Sequence, residues 1–226
     1  MLLLSKLLRI SQRGQVKIQW SKDPAAAHRP LPPATTPSSR GIWGYVAVAF
    51  NQVDAERLAK VGPNRLCAEW IIKNGGGVRF EEHPTKLWKD YNSLPLENNP
   101  FSIKVVDASN ASIMKIGLEH FKGCEDIDTV IFHNCKHLEN DGLEGLLHIS
   151  SSLERLQVSG CYNITDSGLE VIGELSNLQQ LIIFDMLYVK NMKAVAAKLQ
   201  KQLPSCVIKA TRLSVSLQPR KKDPKS

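Results

Sequence analysis

Hydrophobic residues return in the same frame along the second half of the chain, at a spacing of 26 residues. One unit carries them at Ile127, Val130, Phe132, Cys135, Leu138, Leu143 and Leu146, and the next at Leu153, Leu156, Val158, Cys161, Ile164, Leu169 and Ile172. A third unit continues with Leu178, Leu181, Ile183, Met186 and Val189, at an offset of 25. The alternation of apolar residues predicts a strand in each unit. The Gly-Leu pair that follows, at 142–143 and 168–169, predicts the start of a helix.

This order of residues, L-x-x-L-x-L-x-x-N/C, is typical of leucine-rich repeats. We therefore predict an α/β fold, a short leucine-rich-repeat solenoid of about four repeats of the cysteine-containing type. In this frame Asn110, Cys135 and Cys161 form a ladder in the bends after the strands, and Met186 breaks it. The first unit fits less well, because Asp107 falls where an apolar residue belongs.

The segment before the repeats is predicted to be a helical domain that caps the array. Residues 41–73 read as helices, with Asp54 as an N-cap and Gly62-Pro63 as a helix end. Asn64 is predicted to cap the next helix, which the glycines at 75–77 stop.

Beyond these helices, residues 78–80 predict a short strand, and 83–100 a loop anchored by Trp88 and Tyr91. The sequence "CVIKA" at 206–210 predicts a last strand. The predicted domains are a presequence and linker at 1–40, the helical domain at 41–100, the repeats at 101–211 and a basic tail at 212–226.

Strand positions between the core residues point to the other, concave face of the predicted sheet, through which repeat arrays generally bind partners. They are Lys104, Val106 and Ala108; Thr129, Ile131 and His133; Arg155, Gln157 and Ser159; Gln180, Ile182 and Phe184. Several of them are apolar, namely Val106, Ile131, Ile182 and Phe184. This indicates either a protein-binding surface or crowding by the neighbouring strands.

Charge is unevenly distributed along the chain. The net charge is +7, but residues 41–208 hold 16 basic and 20 acidic residues, so the positive charge lies at the two ends. This disfavours nucleic-acid binding, which places a basic patch on the fold itself. The first 22 residues hold five basic residues and no acidic one, and this predicts a mitochondrial presequence, with a disordered basic terminus as the alternative.

Candidate chemistry is sparse. The chain has five cysteines without CxxC spacing, which predicts reduced thiols. His133 and His137 flank Cys135, but solvent-exposed histidines are favoured over a metal site. For Cys135, a structural role is favoured over a reactive thiol.

Two segments carry a resemblance to a known family. "FNQVDAERLAKVGPNRLCAEW" and "WKDYNSLP", followed by the cysteine-type repeats, resemble the mitochondrial coupling factor B family, also called ATP synthase subunit s. The resemblance covers about residues 41–208. It implies a non-enzymatic accessory factor, peripheral at the matrix face of the inner membrane, that contacts membrane-sector or stalk subunits of the ATP synthase and supports coupled proton flow. No nucleic acid or small-molecule substrate is expected.

The same resemblance implies particular residues. It assigns a magnesium site to Gly62 and Leu96, although the family has a threonine where this chain has Leu96. It also assigns a coupling-related, partner-binding thiol to Cys135. The family has a second cysteine two positions earlier, where this chain has His133, so the family's dithiol cannot form here.

Two other functions remain as alternatives. The distal membrane arm assembly factor of respiratory complex I shares the architecture, so an assembly role in complex I is the alternative within the family. A leucine-rich-repeat adaptor of the ubiquitin system is less favoured, because "WGYVAVAFNQVDAERLAK" lacks the Leu-Pro opening of an F-box.

Overall fold

In the computed structural model, residues 39–211 are described, with side chains from residue 45 onwards. The predicted presequence with most of its linker, and the basic tail, lie outside the described residues. The strands are β1 (Gly77–Phe80), β2 (His83–Trp88), β3 (Ile103–Asp107), β4 (Thr129–His133), β5 (Arg155–Ser159), β6 (Gln180–Phe184) and β7 (Val207–Thr211). They form one seven-stranded sheet in the order β2-β1-β3-β4-β5-β6-β7, and the fold is mixed α/β.

The α-helices are α1 (Ser39–Asn51), α2 (Ala55–Val61), α3 (Pro63–Lys73), α4 (Asp166–Leu169) and α5 (Met192–Gln202). The 3-10 helices are η1 (Tyr91–Ser93), η2 (Lys115–Phe121), η3 (Asn140–Ile149) and η4 (Glu170–Glu174). The Gly-Leu pairs do fall in helices, as predicted, but the described helices between β3 and β6 are mostly of the tighter 3-10 form. Within residues 39–211, none of the helices combines the length and the hydropathy that a bilayer crossing requires.

The N-terminal helices follow their sequence signals with one exception. The Asp54 carboxylate accepts the backbone N–H of Arg57 at 3.0 Å and caps α2, as predicted. Gly62 ends that helix with a φ of +78°, and Pro63 starts α3. Asn64 is not the cap of α3; it lies in the first turn, and its side-chain oxygen accepts the N–H of Ile103 at 3.1 Å. The prediction was wrong because Asn64 joins the helix to β3.

The segment predicted as a loop contains β2 and η1. β2 pairs antiparallel with β1 and forms one edge of the sheet. Most of its side chains are exposed, and Pro84 lies within it, so the hydrophobic alternation of a buried strand is missing. Proline is tolerated on an edge strand because its missing N–H faces outward. Trp88 is 8% exposed and anchors this strand, whereas Tyr91 is 38% exposed.

The strands from β3 to β7 are parallel, and each pairs with the next in the chain. The inward residues of β4, β5 and β6 are the ones that the repeat pattern predicted, and they are almost fully buried. A single hydrophobic cluster extends from α3 to Cys206. The sheet and α3 therefore share one core.

The first unit has a different register from the predicted one. Val105 pairs with Thr129 and Val106 with Val130, a step of 24 residues. Val106 and Ala108 are therefore buried and point inward, and Asp107 takes the outward position. The prediction that Val106 and Ala108 point outward was wrong, and the apparent misfit of Asp107 disappears. Lys104 keeps a side chain that is 31% exposed and pairs with Glu81. A unit shortened by one residue shifts the strand by one, which moves Val106 and Ala108 to the inner face.

The predicted ladder of bend residues is corrected at the same place. At a step of 24, the residue in line with Cys135 is Ala111, which is 2% exposed. Asn110 lies one residue earlier, at a φ of +61°, in line with Asn134 at +54°. Asparagine is one of the few residues that adopt this left-handed conformation readily.

Side-chain oxygens tie the bends after β5 and β6 to the bend before them. Asn140 accepts the N–H of Thr165 at 2.8 Å, and Asp166 accepts the N–H of Lys190 at 2.8 Å. Asn51, at the end of α1, accepts the N–H of Met114 at 3.1 Å in the same manner. Asn51, the last residue of α1, thus supplies for the unit of β3 the kind of acceptor that the preceding unit supplies for the units of β5 and β6.

Candidate functional site

The sheet face opposite the buried strand residues presents the side chains that the sequence predicted as outward in β4, β5 and β6. We call this surface the open face. It consists of Val105, Asp107, Thr129, Ile131, His133, Arg155, Gln157, Gln180, Ile182 and Phe184, together with Ser159, which is 0% exposed. The strand register places Ile131 beside Gln157 and Gln157 beside Ile182. Apolar and hydrogen-bonding side chains therefore alternate across the strands.

Polar groups of the open face are bonded to one another. The His133 ring nitrogen Nδ1 lies 2.9 Å from Ser159 Oγ, and Gln157 donates to the same hydroxyl at 3.0 Å. The His133 ring stacks beside Phe184 with ring centres 6.1 Å apart. Since these contacts hold the side chains in place, the face presents a preformed surface with half-buried apolar groups. It fits the recognition of another protein better than chemistry on a small substrate.

Cys135 lies in the bend after β4, where the sequence predicted it, and its side chain is 0% exposed. Its thiol donates to the carbonyl oxygen of Ala108, in the preceding bend, at 3.1 Å. Interaction with the neighbouring Cys161 thiol, together with burial, raises the pKa of the Cys135 thiol. A neutral, enclosed thiol is a poor nucleophile. These contacts support the structural role, and the coupling-related role of Cys135 stays a prediction that requires the bend to open.

The two predicted magnesium ligands lie on the surface near the start of α3. Gly62 and Glu97 line a cleft of about 260 Å³, and Leu96 is adjacent to Glu97 in the chain. The Gly62 carbonyl already accepts the N–H of Leu66 at 3.1 Å, and the Leu96 carbonyl accepts that of Asn99 at 2.9 Å. The Leu96 side chain is 72% exposed and offers no oxygen.

The carboxylate in this cleft is also engaged. Glu97 contacts Arg57 at 2.7 Å and Lys60 at 2.9 Å, and their hydrogen bonds lower the pKa of its carboxyl to about 2. Mg²⁺ prefers charged oxygen ligands that are free to coordinate. Both carbonyl oxygens and the Glu97 carboxylate already have protein partners, which argues against a resident magnesium ion at this place. The assignment of magnesium to Gly62 and Leu96 stays a prediction.

Sequence reasoning missed a buried carboxylate next to this cleft. Glu69 of α3 is 1% exposed and accepts from Arg57 at 2.5 and 3.1 Å and from Arg65 at 3.1 Å. Burial alone would raise its pKa, but the hydrogen bonds from Arg57 and Arg65 outweigh it and hold the pKa of the Glu69 carboxyl below its ordinary value. The signal in the sequence is an acidic residue within an apolar helix run, four residues after an arginine.

Comparison with known proteins gives a consistent result. No family model matches the chain. The chain is 31% identical over 208 residues to "ATP synthase subunit s, mitochondrial" of Bos taurus. The aligned region covers 89% of this chain and 96% of the relative. It is 34% identical over 197 residues to the Mus musculus protein of the same name, with 85% of this chain and 90% of the relative covered. "Distal membrane arm assembly component 2" of Drosophila melanogaster is 26% identical over 167 residues, covering 70% of this chain and 57% of that protein.

Proposed function

The chain belongs to the family of mitochondrial ATP synthase subunit s, and from this premise we propose that it is an accessory subunit of the mitochondrial ATP synthase. The observation that carries the proposal is similarity over nearly the whole length of the mammalian relatives. The protein acts by binding and not by catalysis, and it supports ATP synthesis and proton conduction at the matrix face of the inner membrane. The open face, with its ordered polar groups and half-buried apolar residues, supports a binding role.

We further propose that β3 to β7 and their bends form a short leucine-rich-repeat array of about four repeats, capped by the N-terminal helices. Parallel pairing of successive strands supports this assignment. So do the buried residues at the repeat positions and the bonds between successive bends, such as that from Thr165 to Asn140. In such an array the open face is the surface that usually meets partners.

Affinity purification from detergent-solubilised mitochondria tests the role. We expect the tagged full chain to recover ATP synthase subunits. Ile182→Glu, on the open face, is expected to reduce that recovery severalfold, because a buried interface does not tolerate an unpaired charge. Ile116→Glu is the matched control, since Ile116 is 38% exposed and lies on η2. Recovery of the protein without any ATP synthase subunit contradicts the proposal.

A role in the assembly of complex I is the second candidate, and the similarity to the Drosophila assembly component favours it. Depletion of the protein separates the two. Loss of assembled complex I with intact ATP synthase on native gels supports the assembly role, whereas impaired ATP synthesis with intact complex I supports the first proposal.

A further inference from the structure

The C-terminal end of the described fold has a charge opposite to that of the rest of the body. Residues 41–185 hold 12 basic and 20 acidic residues, whereas residues 186–211 hold five lysines and no acidic residue. Lys190, Lys193, Lys201 and Lys209 are all exposed, and within the described residues none of them has a carboxylate within 4.0 Å. The remaining lysine, Lys198, pairs with Glu170 at 2.8 Å.

Large apolar side chains lie among these lysines. In the bend between β6 and α5, Leu187 is 66% exposed and Tyr188 is 56% exposed. Tyr162, 40% exposed, occupies the same place in the preceding bend. We call the group formed by Tyr162, Leu187, Tyr188, Lys190 and Lys193 the bend patch.

A shallow cleft adjoins the bend patch at the start of α5. It has a volume of about 440 Å³, and Lys190, Lys193 and Ala210 are among its lining residues. The first turn of α5 contains no acidic residue. Two carboxylates lie near it in the fold: Asp166 accepts the backbone N–H groups of Lys190 and Asn191 at 2.8 and 2.9 Å, and Asp185 lies in the bend just before Met186. Neither carboxylate is within 4.0 Å of the ammonium groups of Lys190 and Lys193, whose side chains are exposed.

The chain continues from this same end of the sheet. Ala210 belongs to β7, and the residues that follow, 212–226, add five basic residues and one acidic residue. No Asp or Glu occurs between Met186 and Lys222. The positive charge of the bend patch is thus continuous along the sequence with that of the tail. The acidic residues of the body, at 41–185, all precede this basic stretch.

We infer that the bend patch docks on an anionic phospholipid surface. Tyrosine and leucine enter the headgroup region with their apolar parts, while lysines keep their ammonium groups at the level of the phosphates. Basic residues near such a surface are attracted to it, and the acidic remainder of the body is repelled. The molecule is therefore oriented with the bend patch toward the lipid. The inference goes beyond the proposed role in the ATP synthase, and it concerns lipid alone.

Co-sedimentation of the full chain with lipid vesicles tests it. The test variant is Tyr188→Ser with Lys190→Glu, and the matched control is Tyr91→Ser with Lys89→Glu. Both variants remove one exposed tyrosine and reverse one lysine two positions away, so the N-terminal basic segment contributes equally to both. On vesicles with about one third phosphatidylglycerol in phosphatidylcholine, we expect roughly tenfold weaker binding for the test variant and less than about twofold for the control.

Three outcomes overturn the inference. They are equal binding of the two variants to anionic vesicles, equal binding of the unaltered protein to pure phosphatidylcholine, and vesicle binding that does not weaken as salt is raised. A test variant that binds vesicles normally but loses ATP synthase subunits in affinity purification identifies the bend patch as a protein interface. Because the vesicles contain no ATP synthase, failure here leaves the proposed function standing.

Discussion

A single buried polar residue, Asn51, connects α1 to α3 and to the segment that leads into η2. The Asn51 side-chain oxygen accepts from the Trp70 indole at 3.1 Å and from the N–H of Met114 at 3.1 Å. Its amide nitrogen donates to the carbonyl of Ser112 at 3.0 Å. Gly117 approaches this amide so closely that a Cβ would collide with it and with the Trp70 ring. Asn51 therefore fixes how α1 meets α3 and η2, although nothing in its sequence neighbourhood distinguishes it.

Glu69 gives the residue-scale prediction. Replacing it with Gln removes the charge that Arg57 and Arg65 surround, so we expect a loss of about 3 kcal/mol in the free energy of unfolding near pH 7. Because the pKa of Glu69 is lowered in the folded state, the stabilisation is present above its unfolded pKa of about 4.3 and is lost as pH falls through the folded value. The difference between the two proteins should therefore shrink below about pH 4.

Urea unfolding followed by circular dichroism at several pH values measures this difference. Glu97→Gln is the control, since Glu97 contacts Arg57 as well but is 44% exposed. The loss of unfolding free energy in Glu97→Gln should be much smaller than in Glu69→Gln. A gap between the parent protein and Glu69→Gln that stays constant down to pH 3 would show that the Glu69 charge contributes little.

At the scale of elements, the bends depend on close contact between successive units. Gly168 lies where a Cβ would come within 2.9 Å of the Asn140 backbone. Asn140 cannot move away freely, because its side chain also accepts the N–H of Thr165. The glycine at 168 thus has a steric cause: the helix of this unit packs against the bend residue Asn140 of the unit before it.

Gly168→Ala is accordingly expected to cost about 1–3 kcal/mol of unfolding free energy through overpacking. Gly173→Ala is the matched control, since its added methyl would meet only the end of the exposed, flexible Gln202 side chain. We expect Gly173→Ala to lower the free energy of unfolding by less than about 0.5 kcal/mol. Equal losses in the two variants, measured by thermal and urea unfolding, would rule out the contact with Asn140 as the cause.

Elements with strong periodic signals could be predicted from the sequence, and those defined by pairing partners could not. The apolar frame of Val130 and Leu156 identified the buried strands, because burial of one face requires alternation. β2 was missed because an edge strand with exposed side chains leaves no alternation to detect. The register of β3 was misjudged because a shortened unit changes the step, and only pairing with Thr129 shows which residues face inward.

The same distinction holds for the candidate site: one part could be predicted from the strand period and another could not. The outward positions of β4 to β6, including Ile182 and Phe184, followed from the strand period. The cluster around Glu69 did not, because it joins residues of α2, α3 and the loop that contains Glu97, and their proximity comes from tertiary packing.

At the scale of the whole molecule, α3, the later helices and the strands share one hydrophobic cluster. This predicts a single unfolding transition. The four tryptophans all lie before residue 89, so their fluorescence reports the N-terminal part of the chain. Leu181→Ala, in β6, is expected to cost about 2–5 kcal/mol and to lower the tryptophan midpoint by as much as the circular dichroism midpoint.

Leu187→Ala serves as the control for this prediction, because Leu187 is 66% exposed and its loss should leave both midpoints in place. If Leu181→Ala lowered the circular dichroism midpoint while the tryptophan transition kept its position, the N-terminal helices would unfold independently of the later strands.

The antiparallel strand β1 has a consequence for how this protein can change in evolution. It occupies the side of β3 to which another parallel strand would pair, and α1 already provides the bond that an earlier bend would provide. A duplicated unit therefore cannot be added in front of the existing ones. Lengthening by duplication is limited to positions after β3, where a new unit can pair with parallel strands on both sides.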